Sequence, residues 1–333
     1  MKRTLTWLFA VGVVASLFVL GLVPNKQAVM GIASTVQAGD GLEIHPIAAL
    51  NTPFRENEAN FSQDGRTVYF ACGEGAPSPA SPDICVSHLT GDFEDADWSE
   101  PELLPFPINT PFAEREPMIT KDGRHLYFHS NRPGGFGGLD IYVSEMGPDG
   151  EWQTPVNLGA PINTRFNDHC FYFVDMETED EAYMASDRPE GRIGGTDIWH
   201  TRKVDGVWTE PENLGPNINS AGAGTHMAIV GPDGRLWVTA SRRADSLGEE
   251  DQYVSERDAN GDWGPLRNLG APMNTTSNDR CGDFTRDGKF FVFSSNFPEQ
   301  NAPRGNQDIY FVNFDDLLKS LGLRHDRRDR RHH

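Results

Sequence analysis

Basic residues are in short supply in this chain: 29 Lys and Arg stand against 49 Asp and Glu, a formal net charge of -20 over 333 residues. Phosphate binding needs Lys and Arg gathered on one face, so the balance argues against a nucleic-acid partner. Cationic ligands, metal ions or plain solubility suit it better. Catalytic signatures are also missing: the sequence has no Ser nucleophile elbow, no HExxH and no Cys-His pattern. Cysteines number four, and none closely follows the N-terminal apolar run, which removes a lipoprotein anchor.

What is present begins with an export pattern. Lys2 and Arg3 precede an apolar run from about Leu5 to Val23, and small residues follow, ending "TVQAGD". Val36 and Ala38 match the small-residue cleavage pattern, giving residues 1–38 as a signal peptide and a mature chain from Gly39. The run is also roughly long enough to span a bilayer, so the alternative is an uncleaved inner-membrane anchor, the one membrane contact expected. Disulfides are permitted in an exported chain. Cys72 and Cys85 flank the loop of one repeat and are the expected pair, whereas Cys170 and Cys281 occupy equivalent positions in two other repeats.

The repeats announce themselves in "SNRPGGFGGLDIY", Ser130 to Tyr142. Glycines that cradle phosphate lead from a strand into a helix, but "DIYVS" is an alternating strand-like run, so the phosphate reading fails. The same phrase returns as "SDRPEGRIGGTDIW" from Ser186, "SRRADSLGEEDQY" from Ser241 and "SSNFPEQNAPRGNQDIY" from Ser294, with a fainter copy from Ala71 to Cys85. The Asp of "DIY" (Asp83, Asp140, Asp197, Asp251, Asp308) recurs in every copy and is expected to organise the Gly-rich loop by hydrogen bonding. Calcium in these loops is the minor alternative, without a regular DxDxDG spacing.

Asn51, Asn109, Asn163, Asn219 and Asn274 mark a period of about 55 residues, each after a bulky apolar residue. Asp-Gly turns at Asp64, Asp122, Asp233 and Asp287 read as hairpins in which both central residues take positive φ; the third repeat has "METEDE" instead. Four strand-like runs per repeat are the content of a propeller blade. Trp98, Trp152, Trp208 and Trp263 open the fourth run and are expected to pack between neighbouring blades. The fifth repeat lacks that run, and "GLEIHPIAALNT" near the N-terminus supplies it. The expected fold is therefore all-β: a five-bladed β-propeller over 39–320, four antiparallel strands per blade, ring closed by the N-terminal strand. Blades fall at about 51–108, 109–162, 163–218, 219–273 and 274–314, with closing strand 42–50, a short helix-like "DDLLKSLG", and a basic disordered tail at 321–333.

Through "ITKDGRHLYFHSNRPGGFGGLDIYVS" and its partial copies, the chain resembles the WD40-like propeller repeats of the TolB type, found in exported bacterial proteins. The resemblance spans nearly all of 42–314. It implies a β-propeller and an envelope location, periplasmic or secreted, and supplies no enzyme activity.

In a propeller the first strand of each blade is innermost, so its opening residues line the channel mouth. The equivalent triplets are Glu56-Asn57-Glu58, Glu114-Arg115-Glu116, Asp168-His169-Cys170, Thr225-His226-Met227 and Asp279-Arg280-Cys281. Their first two positions, Glu56, Asn57, Glu114, Arg115, Asp168, His169, Thr225, His226, Asp279 and Arg280, form the candidate ligand-binding set. The recurrent acidic first position reads foremost as structural, accepting backbone N–H bonds in the loop before the strand. His169 and His226, from adjacent blades, are the candidate ligands of a divalent metal ion; Arg115 and Arg280 would instead clamp a carboxylate or phosphate. The functional expectation is a monomeric, non-catalytic module binding an envelope protein, peptide or glycan at the mouth. The alternatives are a glycoside hydrolase or metal-dependent enzyme, with Glu114 and Asp279 or Asp168 as the carboxylate pair, and a structural envelope scaffold.

Overall fold

The computed structural model describes residues 42–74, 82–297 and 307–324 and the backbone of Val36–Gln37. The N-terminal apolar run, the tail from 325 onward and parts of the first and fifth Gly-rich loops lie outside the described residues. No helix among the described residues is long and apolar enough to cross a membrane.

Five antiparallel sheets form a ring, a five-bladed β-propeller. The first strands are Arg55–Phe61, Glu114–Ile119, Asp168–Phe173, Gly224–Val230 and Asp279–Phe284, and they surround the channel. In the fifth blade Asp279–Phe284, Phe290–Ser295 and Asp308–Asn313 are joined by Glu43–Pro46 as the outer strand, with His45 opposite Phe311 and Pro46 opposite Tyr310. The N-terminal strand thus closes the ring, and Val36–Gln37 pairs outside it. Leu42, Ile44, Ile47 and Leu50 are buried around this closure.

The recurrent Asn residues are latches between a blade and the strand that begins with the preceding blade's "DIY" phrase. The Asn109 side chain accepts from the Ile84 N–H at 2.9 Å and donates to the Ile84 carbonyl at 2.9 Å. Asn163 does the same to Ile141, Asn219 to Ile198 and Asn274 to Gln252. Asn51 reaches Ile309, so the same latch also ties the two ends of the described chain together. A side-chain amide carries one donor and one acceptor group and so can satisfy both backbone groups of one residue at once.

The Gly-rich loops are punctuation between strands. Asp140 accepts from the Phe136 and Gly137 N–H groups and from Asn157, and Asp197 and Asp251 repeat the arrangement. A Cβ at Gly137 would sit 2.0 Å from the Phe166 carbonyl oxygen, so only glycine lets this loop lie against the approach to the next blade.

The Asp-Gly turns differ from expectation. Only the glycines, Gly65, Gly123, Gly234 and Gly288, are left-handed (φ 67° to 77°). Each Asp instead accepts the N–H two residues on, as Asp122 does from Arg124 at 2.9 Å, which holds the turn without a second positive φ. In the third repeat Glu179 takes the left-handed conformation.

Trp98, Trp152 and Trp263 are buried. Trp98 packs on Phe61 and Phe93, Phe93 stacks on Phe290 of the fifth blade, Trp152 meets Tyr69 of the first, and the Trp263 indole donates to the Tyr183 hydroxyl of the third. Trp208 packs on Phe171 and Phe173 of its own blade. Cys72 and Cys85 are joined by a disulfide, whereas Cys170 and Cys281 are free and buried. The helix Phe314–Ser320, capped by the Asn313 side chain, buries Phe314 against Trp237 and Phe284.

Candidate functional site

The acidic first position of each triplet does not face a ligand. Glu56, Glu114, Asp168 and Asp279 are fully buried, each bound by the Thr four residues before it through both its N–H and its hydroxyl. Their inclusion in the ligand-binding set, and the proposed carboxylate pair of Glu114 with Asp168 or Asp279, are corrected accordingly: the loop before the strand consumes these acceptors. Glu114 and Asp168 also receive a Ser and an Arg, namely Ser130 with Arg132 and Ser186 with Arg188.

Thr225 is corrected for a different reason. Glu114, Asp168 and Asp279 stand opposite Ser130, Ser186 and Ser295. In the fourth blade Gly224 stands opposite Ser241, and Thr225 opposite Ala240. Gly224 follows Asn219 by five residues, as Glu114 follows Asn109, so Gly224 holds the place of the acidic residue and the triplet Thr225-His226-Met227 is set one residue too late. Arg243, in the place of Arg132 and Arg188, finds the Ser220 hydroxyl and the Ile218 carbonyl in place of a carboxylate.

Where the Arg partner is missing, burial wins. In the first blade Cys72 and Glu74 replace the Ser and Arg; in the fifth, Ser295 is kept but Phe297 replaces the Arg. Burial then pushes the Glu56 carboxyl up to about 7 and that of Asp279 to about 6, against the hydrogen bonds they accept. A carboxyl raised in the fold contributes stability that is complete below its unfolded value and lost as pH rises through its folded one. For Glu56 the window is pH 4.5 to about 7. Glu56→Gln is therefore expected to match the parent in thermal unfolding at pH 4 and to exceed it by roughly 2–3 kcal/mol at pH 8. A difference between the two proteins that is the same at both pH values would refute this.

The middle and third triplet positions build the channel. Glu58, Glu116, Cys170 and Cys281 all take positive φ, 50° to 62°, at a register shift in the first strand. In a regular strand adjacent side chains point to opposite faces, but a bulge turns one of them, so both can reach the channel. Arg115 donates to Glu58 at 2.7 Å and to Asn57 at 3.0 Å. Glu58 accepts the Glu116 N–H at 2.9 Å and lies 3.8 Å from Arg280. Arg280 lies 3.1 Å from Glu250, whose other oxygen is 3.5 Å from His226 Nε2. His226 also bonds Ser241 at 3.0 Å.

Glu116 is the centre of a second group. Its Oε2 lies 2.7 Å from His129 Nδ1 and 3.3 Å from His169 Nδ1, and accepts the Cys170 N–H at 2.5 Å. Burial opposes its ionisation, but the charges of His129 and His169 and their hydrogen bonds outweigh it and hold the carboxyl well below the usual range. Burial pushes His226 down to about 4, so it is neutral at pH 7. His226 feels the charge of His169, yet the two serve different carboxylates, Glu250 and Glu116. Glu116, His169 and Cys170 form a tighter group, with donor atoms that all lie within 4.8 Å of one another.

Five of the predicted residues thus line the channel: Asn57, Arg115, His169, His226 and Arg280. Their partners Glu58, Glu116, Cys170 and Cys281 stood in the triplets but were passed over, because strict alternation points them away. His129 and Glu250 were missed outright. His129 lies in "HLYFHS", directly opposite Arg115 in the neighbouring strand, and that pairing was the available signal.

No protein-family model and no curated protein matches the chain. Solved structures do. TolB from Acinetobacter baumannii is similar at 13% identity over 80% of this chain, with a TM-score of 0.48, and the chain spans 56% of that protein's length. The endo-arabinase from Bacteroides thetaiotaomicron is 15% identical over 80% of this chain and 95% of its own, with a TM-score of 0.53. A glycoside hydrolase is 10% identical over 79% and 88%, with a TM-score of 0.51. At these identities the likeness is one of fold: the chain is a five-bladed β-propeller.

Proposed function

We propose that the chain is an exported propeller of the cell envelope, periplasmic or secreted, that binds a protein or peptide partner at the channel mouth without transforming it. The supporting observation is the pairing of the channel charges: Glu58 with Arg115, Glu116 with His129 and His169, Glu250 with Arg280. Glycoside hydrolysis needs one carboxyl kept protonated beside another that is ionised and unencumbered. The carboxyls that burial raises, Glu56 and Asp279, are enclosed in the approach loops, and Glu116 is held low. Phe106, Phe112 and Phe136 are exposed on loops at the same end of the strands and offer apolar contact area beside this polar floor. Export is supported by the basic and apolar start of the sequence and by the Cys72–Cys85 disulfide.

A photo-crosslinking residue placed at Phe112 or Phe136 in producing cells is expected to capture a partner that the same residue at Val207 does not. Val207 is exposed in a hairpin at the opposite end of its blade. Equal labelling at the two ends, or none, would count against a partner at the mouth. The hydrolase alternative draws on the endo-arabinase likeness. Sugar release from arabinan by the purified protein, abolished in Glu116→Gln, would replace the binding reading.

A further inference from the structure

We propose that Glu116, His169 and Cys170 form a transition-metal site, with zinc the best-matched ion. A carboxylate oxygen, an imidazole nitrogen and a sulfur lie within 4.8 Å of one another, from two adjacent blades. The contacts are close: His169 Nδ1 is 3.2 Å from Cys170 Sγ and 3.3 Å from Glu116 Oε2. Two consecutive residues point donors at one spot because Cys170 is left-handed, with φ 50°, at the register shift between His169 and Tyr172. That backbone conformation is uncommon for a residue other than glycine, and it is what brings the sulfur round to the imidazole.

The donor set selects the ion. Nitrogen, oxygen and sulfur together suit zinc, and a thiol is a poor ligand for calcium or magnesium. Three protein ligands leave a fourth position for water or a ligand group, the arrangement of an open rather than a closed site. His129 adds what a metal-bound carboxylate usually has, an outer partner: its Nδ1 stands 2.7 Å from Glu116 Oε2 and is itself buried. His169 is the most exposed of the three, its side chain 13% accessible, and marks the way in. Glu116 and Cys170 are nearly closed off, so binding is expected from the channel side.

The site is independent of any partner at the mouth, and its test reads the metal directly. Tag-free protein, stripped with a chelator and dialysed, is titrated with zinc by calorimetry and with cobalt(II) by absorption. One ion per chain is expected, with a sulfur-to-cobalt charge-transfer band in the near ultraviolet. Cys170→Ser should abolish that band, and Cys170→Ser and His169→Asn should each weaken zinc binding by about 100-fold or more. Cys281→Ser should leave both readouts unchanged. A band that persists in Cys281→Ser assigns the sulfur to Cys170 even if Cys170→Ser fails to fold. Absence of stoichiometric binding, or binding without the band, would overturn the proposal and place any bound ion elsewhere, for instance on the His-containing C-terminal segment.

Discussion

A chain shortened to begin at Asn51 is expected to lose cooperative unfolding altogether. The missing segment contributes the outer strand of the fifth blade and buries Leu42, Ile44, Ile47 and Leu50, three of them with no accessible surface. Each buried aliphatic side chain stabilises by about 1.5–3 kcal/mol, so the loss is roughly 6–12 kcal/mol, the size of a whole domain's stability. Two further consequences add to it. Asp308–Asn313 becomes an open sheet edge, an invitation to aggregation. Ile47 also no longer donates its N–H to the Ile309 carbonyl, one of the bonds that draws the two ends together. Circular dichroism melting with size-exclusion chromatography checks this: a broad, non-cooperative melt and aggregates are expected. A synthetic peptide of residues 39–50 should restore part of the transition. A shortened chain that melts sharply, within a few degrees of the parent, would show that the ring closes without its N-terminal strand.

Arg188→Met is expected to destabilise the propeller by about 3–5 kcal/mol, because it strands a buried carboxylate. Arg188 is only 4% exposed. Its guanidinium donates to Asp168 at 2.9 Å and to the Ile162 and Pro161 carbonyls, and lies over the Trp199 ring. Removing it leaves Asp168 with Ser186 and Thr164 as its donors. Adding Asp168→Asn removes the stranded charge and should recover a large part of the loss, which a denaturant titration of the four proteins measures as a coupling energy. Independent, additive effects would mean that the pair is not the coupled unit its geometry describes. The fifth blade already contains the natural comparison, Phe297 in place of the Arg and an Asp279 carboxyl pushed up to about 6.

The repeat was legible because folding solves the same problem five times. An Asn latch, an Asp that ties up a Gly-rich loop and a Trp packed at the start of the fourth run each need one residue type at one place, so they recur and can be aligned. The missing fourth strand of the last repeat and the spare strand near the N-terminus had to match for the same reason: an unpaired edge is a liability that closure removes. The structural role of the acidic position was readable on this logic too, since a group that appears in nearly every blade serves the blade.

The channel was half legible. Asn57, Arg115, His169, His226 and Arg280 break the symmetry of the repeat, which is why they stood out. Their partners did not, because alternation along a strand points Glu58, Glu116, Cys170 and Cys281 the other way. Glutamate and cysteine carry no sign that they will be left-handed, as a glycine would. The register of the fourth blade was hidden because Gly224 stands where the other blades carry a carboxylate, so nothing marked the position and Thr225, the next residue, was taken in its place.

The amino-acid sequence by itself therefore determined the blades, their number and the manner of closure, because these rest on local patterns repeated along the chain. The tertiary structure alone decided which side chains meet in the channel. Those contacts join different blades, as from Glu58 to Arg115 or Glu116 to Cys170, and depend on a backbone bulge that only the packed ring holds in place.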